Sequence, residues 1–201
     1  MTQTISAIFD QYTDATSAVS ALEANGVSNS DISIIANNAD GTHRDGAVEK
    51  NDAAADAGIG AGIGATLGGA GGLLAGLGIM AIPGVGPVVA AGWLISTAAG
   101  AIAGAVAGGA TGGIIGALTG AGVPEDDAHV YAESIRRGGT LVTARVDDTE
   151  APRLNALLQQ HKSVDVSQRR AAYEGEGWTA FDVDAPTPPR QHIPDASNRA
   201  L

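Results

Sequence analysis

Residues 57–122 read AGIGAGIGATLGGAGGLLAGLGIMAIPGVGPVVAAGWLISTAAGAIAGAVAGGATGGIIGALTGAG, and not one of these side chains is charged. The run is far longer than the roughly 20 apolar residues a membrane-spanning helix needs, and long enough for two spans. Ile82-Pro83-Gly84-Val85-Gly86-Pro87 interrupts it with two prolines and two glycines, a strong breaker. The sequence therefore predicts helices over 57–80 and 88–120. At 1.5 Å per residue these reach about 36 and 50 Å, against a hydrocarbon core of about 30 Å.

Of the 29 glycines in the 201-residue chain, 22 lie between Gly58 and Gly122. Gly60, Gly64, Gly68, Gly72 and Gly76 recur every fourth residue, as do Gly100, Gly104, Gly108, Gly112, Gly116 and Gly120. On a helix of 3.6 residues per turn each series forms a slowly drifting stripe, the small-residue pattern through which helices approach closely in lipid. These eleven glycines are the expected helix-packing interface, and the partners they imply are membrane lipid and a second copy of the chain. The alternative is a soluble ferredoxin-like regulatory or ligand-binding module whose glycine-rich block is an oligomer core, and an oligomeric pore is a third possibility. The stripes are nearly free of hydroxyls, which argues against an aqueous lumen, although Thr66, Ser96, Thr97, Thr111 and Thr119 stand in the block.

Outward from the block, the flanks alternate between the periods of strand and helix. Residues 5–9 read as a strand. Asp14 is placed to cap a helix carrying Ala15, Ala18, Val19 and Leu22 at i, i+3, i+4 and i+7, with Asn25-Gly26 as its stop. Residues 32–36 and 140–146 read as further strands. A helix capped by Asp148 or Thr149, with Pro152 in its first turn, follows the second of these, and residues 164–166 read as a short fourth strand. The order β-α-β, insertion, β-α-β predicts an α+β fold: a ferredoxin-like sandwich with two helices on one sheet face, interrupted by an antiparallel helical hairpin that crosses a membrane. The parts are a first half with an acidic linker over 1–56, the hairpin over 57–122, a linker helix and second half over 123–170, and an extended or disordered tail over 171–201.

Charge follows the same division. Residues 1–56 carry −7, residues 123–201 carry −4, and the chain carries −11. That excess speaks against nucleic acid, which needs a basic patch. The absence of cysteine removes disulfides, thiolate zinc sites and thiol catalysis. No phosphate-cradling glycine motif is present, and His43, His129, His161 and His192 stand alone. Glu125-Asp126-Asp127 after Pro124 reads as the acidic first turn of a helix, whose face Ala128, Tyr131, Ala132 and Ile135 meets either the sheet or lipid headgroups. Trp178 and Phe181 read as pins for the tail. No catalytic residue, metal site or cofactor is expected, and no enzyme.

Several local runs carry a family resemblance. They are the 82–87 turn, Val123-Pro124-Glu125-Asp126-Asp127-Ala128 with Tyr131, Arg136-Arg137-Gly138-Gly139-Thr140-Leu141-Val142, and Gly177-Trp178-Thr179-Ala180-Phe181-Asp182. Together they resemble bacterial stress-associated proteins of the general stress protein 17M-like (heat-induced stress protein) domain family, over most of the chain to about Pro189. Val130 stands where that family often has a second aromatic beside the residue matching Tyr131. The resemblance implies a bacterial protein of general stress with no established activity and no established site residues. With a basic leader missing from the first twelve residues and arginines or lysines flanking only the outer ends of the block, the expected location is the bacterial inner membrane, both termini cytoplasmic.

Overall fold

The computed structural model describes residues 1–39, 78–82, 85–94 and 112–185. Among these, the order of elements is β1 (Thr2–Phe9), α1 (Tyr12–Ala24), a 3₁₀ turn at Asn29–Asp31, β2 (Ile32–Asn37), β3 (Gly78–Ile82) and β4 (Gly86–Gly92). A π-helical turn at Gly112–Gly116 then runs into α2 (Ala117–Gly120), followed by α3 (Glu125–Arg136), β5 (Thr140–Asp147), α4 (Ala151–Gln160) and α5 (Val166–Gly175). The five described strands form one antiparallel sheet in the order β1-β5-β2-β4-β3. β5 lies between β1 and β2, with Ile5 opposite Ala144 and Ile34 opposite Val142.

Side chains alternate across this sheet, and each face has its own core. Ile5, Ala7, Phe9, Ile32, Ile34, Val142, Ala144 and Val146 pack with Ala15, Ala18, Val19 and Leu22 of α1 and with Ala151, Leu154 and Leu158 of α4. On the other face Ile8, Ile35, Leu141, Val88 and Ala90 pack with Leu118 of α2 and with Ala128, Tyr131, Ala132 and Ile135 of α3. The α1 and α3 sets sit at i, i+3, i+4, i+7 spacing and the α4 set at i, i+3, i+7, so burial follows from the apolar stripe. The helix starts differ from the sequence reading: α1 begins at Tyr12 after Gln11, leaving Asp14 in its first turn, and α4 follows Glu150.

The expected fold is corrected in two respects. The first concerns the insertion. Residues 78–82 and 86–92, placed at the end of one expected span, in the turn and at the start of the other, form the β3–β4 hairpin. β4 joins the sheet beside β2, from Ser33 opposite Gly92 to Asn37 opposite Val88. The reason is local. Ile79, Ile82, Val85, Val88 and Val89 surround the Pro83-Gly84 pair, and β-branched residues on both sides of a short turn favour strand over helix. Among the described residues no helix is long and apolar enough to cross a membrane. The membrane-spanning hairpin, and the inner-membrane location with both termini cytoplasmic that rested on it, are therefore withdrawn.

The second correction concerns the layers. The sandwich was expected to have helices on one face only, but α3 and α2 cover the opposite face, making three layers. Residue 164 contributes only an isolated bridge to Ile8, and the chain then turns into α5 where a strand and the tail boundary had been placed. Asp165 caps this helix by accepting from the Gln168 N–H at 2.8 Å.

Candidate functional site

The end of α3 holds the densest polar cluster among the described residues. Glu133 is fully buried, and its carboxylate accepts from Arg136 Nη2 at 2.5 Å and Arg137 Nε at 2.6 Å, with the arginines only 5% and 11% exposed. Spacings of three and four residues bring all three together on one helix. Gly138 and Gly139 end that helix by donating to the carbonyls of Ile135 and Ser134, the paired closure of a Schellman cap. Arg137 also pairs with Glu176, and its guanidinium lies 4.2 Å above the Tyr173 ring. Burial opposes its charge, but Glu176 and Glu133 outweigh that and hold its pKa above the ordinary value.

Arg136 reaches the other way. It donates to the carbonyls of Asp182 at 3.2 Å and Ala185 at 3.3 Å, and stands 5.3 Å over the Phe181 ring. The Phe181 N–H donates to His129 Nδ1 at 3.2 Å, and Trp178 meets Tyr173 edge-on at 5.7 Å. Two of the runs that carry the resemblance, 136–142 and 177–182, thus meet in space, and what joins them is a buried ion cluster. The sequence reading assigned α3 one apolar face and overlooked Glu133. The available signal was a carboxylate three and four residues before an arginine pair, with aromatics downstream to cover it. Such a constellation clamps chain segments together.

Burial raises the pKa of Tyr131 and of Tyr173, the latter despite the Ser134 hydrogen bond and the charges of Arg169 and Arg137. A phenol whose folded pKa exceeds its unfolded value adds stability that is complete below the unfolded pKa and lost as pH rises through the folded one. Stability to urea is therefore expected to hold up to about pH 10 and fall above it, phenolate absorbance appearing together with unfolding. Phenolate absorbance from both buried tyrosines in the folded protein near pH 10 contradicts this.

A groove of about 540 Å³ opens at the far end of the sheet, between the α1–β2 loop and the start of α4. Its cations are already engaged. Arg145 donates to Asp31 at 2.7 Å and lies 4.7 Å over Trp93, while Arg153 donates to Glu150 at 2.5 Å and to Asn25 at 2.6 Å. With Asp147 also on its wall, the groove offers no surplus of positive charge. Among the described residues no three acidic or histidine side chains gather to hold a metal.

Of the predicted interface glycines, Gly60, Gly64, Gly68, Gly72, Gly76, Gly100, Gly104 and Gly108 lie outside the described residues. Gly112, Gly116 and Gly120 lie on the segment that leads through α2, which is kinked at Gly113. A methyl built on Gly120 meets nothing within 4 Å, so among the described residues no backbone approaches closely there. The segment is anchored by Ile114, Ala117 and Leu118.

The feature the insertion does build is a hairpin added to the sheet. β3 is the outermost described strand on its side, and its five residues carry no charge. The opposite edge is treated differently: Val164 donates to the Ile8 carbonyl at 2.8 Å, and Arg169 pairs with Asp10 just beyond β1. No protein-family model, no curated protein and no solved structure matches the chain.

Proposed function

We propose that this chain is a non-enzymatic assembly module, an acidic α+β body that self-associates through its uncharged insertion in the general-stress setting the resemblance implies. The observation that carries this reading is the β3–β4 hairpin. Through it the insertion enters the body's own sheet, and the outermost described strand on that side is uncharged. Backbone donors and acceptors along such an edge are a ready template for another strand. The rival reading, a regulatory module with a small ligand, has the groove as its place, but the guanidiniums there already hold in-chain carboxylates.

The test is mass in solution without detergent, measured by light scattering over a dilution series. A mass that is a multiple of the 19.9 kDa chain and falls on dilution is expected. A monomer at every concentration defeats the reading.

A further inference from the structure

We propose that residues 177–185 form a strap latched onto α3 by His129, and that protonation of His129 opens the strap while the sheet stays folded. This inference is independent of self-assembly. His129, Glu133 and Arg136 fall at i, i+4 and i+7 on α3, so they share one face of the helix, and the strap is bonded to both ends of that face. The Phe181 N–H donates to His129 Nδ1 at 3.2 Å, and Arg136 Nη1 donates to the carbonyls of Asp182 and Ala185 at 3.2 and 3.3 Å. A backbone N–H donates and cannot accept, so Nδ1 carries no proton while the strap is seated. A proton there turns the acceptor into a second donor and sets two N–H groups against each other.

The strap is held lightly enough for one bond to matter. Its three hydrogen bonds to α3 lie at the long end of the usual range, and the Phe181 ring under Arg136 is half-buried. Two buried donors also oppose the closed form: Arg136 Nε and Trp178 Nε1 have no acceptor among the described residues. Opening lets water reach both, which removes the cost of burying them unpaired. The charged groups around the ring are Glu125, Asp126 and Glu133 on α3, Arg136 beyond them, and Asp182 on the strap. Arg170 of α5 holds Asp126 and Asp127, and Glu133 is held by Arg136 and Arg137. Carboxylates and guanidiniums ordinarily keep one charge state between about pH 5 and 8, and histidine is the side chain that changes. The latch is therefore closed at the upper end of that interval and opens as pH falls through it, presenting Phe181 and Arg136 to solvent.

Amide hydrogen exchange of the full-length protein tests this, read by NMR at about pH 7.5 and about pH 5 and scaled to the rate of an unstructured chain at each pH. Protection of the Phe181 amide is expected to fall about tenfold between them, the weight of one hydrogen bond, while Val142 in the middle of the sheet keeps its protection. His129→Asn retains an acceptor at the δ position that takes up no proton, so its Phe181 protection should not change with pH. His129→Ala should show the low value at both. Equal Phe181 protection at the two pH values in the parent overturns the latch. A fall in His129→Asn as large as the parent's also overturns it, since another group is then the switch. A parallel fall at Val142 does the same, because the body then opens as a whole. If the variants do not fold or do not seat the strap, the parent still decides: loss of Phe181 protection must coincide with the titration of the His129 ring in the same sample.

Discussion

Gly92→Ala is expected to remove a large part of the protein's stability. Gly92 ends β4 with φ +101°, and a Cβ there falls 2.1 Å from the Ile32 carbonyl oxygen and 2.6 Å from Ser33 Cα. Those are atoms of the neighbouring strand, so no side-chain rotation relieves the contact. The backbone must separate at the place where Ser33 pairs with Gly92 and where the Leu94 N–H donates to Ser33 Oγ at 2.8 Å. Gly26→Ala is the comparator: its φ is +91°, but a Cβ there meets nothing within 4 Å. It isolates the backbone cost, about 1–2 kcal/mol. The clash adds the price of overpacking, bringing Gly92→Ala to on the order of 4 kcal/mol against a typical total of about 5–15. Urea midpoints measure the difference directly, and equal midpoints for the two variants would mean that β4 does not dock on β2 as described.

The contrast between these glycines shows what was legible in the sequence. Asn25-Gly26 announces a helix stop because the signal is local: Gly26 donates to the Glu23 carbonyl and Val27 to that of Leu22, all within one turn. Gly92 carries no such signal, because its constraint comes from β2, about sixty residues away in the chain. The same distinction runs through the fold. Strand and helix periods in the flanks follow from side-chain alternation, whereas the insertion was read by hydropathy, which does not distinguish a lipid-facing helix from a strand buried in a sheet. The site had the same difficulty. Uncharged residues 57–122 pointed to self-association, but that an edge strand lies within them depends on pairing with β2, which only the tertiary structure supplies.

A buried ion cluster at the end of α3 decides the second large effect, Glu133→Ala. The truncation leaves Arg136 and Arg137 buried without their shared counter-charge, and breaking a buried pair in this way typically costs about 3–5 kcal/mol. The loss should be larger than for Asp31→Ala, which breaks a pair whose side chains are 37% and 44% exposed and so costs less than about 1 kcal/mol. Salt separates the two further: screening reduces the Asp31 effect and leaves the Glu133 effect nearly unchanged. The consequence is directional. Because Arg136 and Arg137 hold Asp182, Ala185, Phe181, Tyr173 and Glu176, a disordered guanidinium pair releases the segment after α5 before the sheet itself yields. Limited proteolysis should therefore cut Glu133→Ala near residues 176–185 under conditions that leave the parent whole, with Trp178 fluorescence shifting to the red. Glu133→Gln, which keeps an acceptor but no charge, should fall between them. If Glu133→Ala unfolds in one step with no early cleavage at that segment, the cluster stabilises the body as a whole and does not act as its clamp.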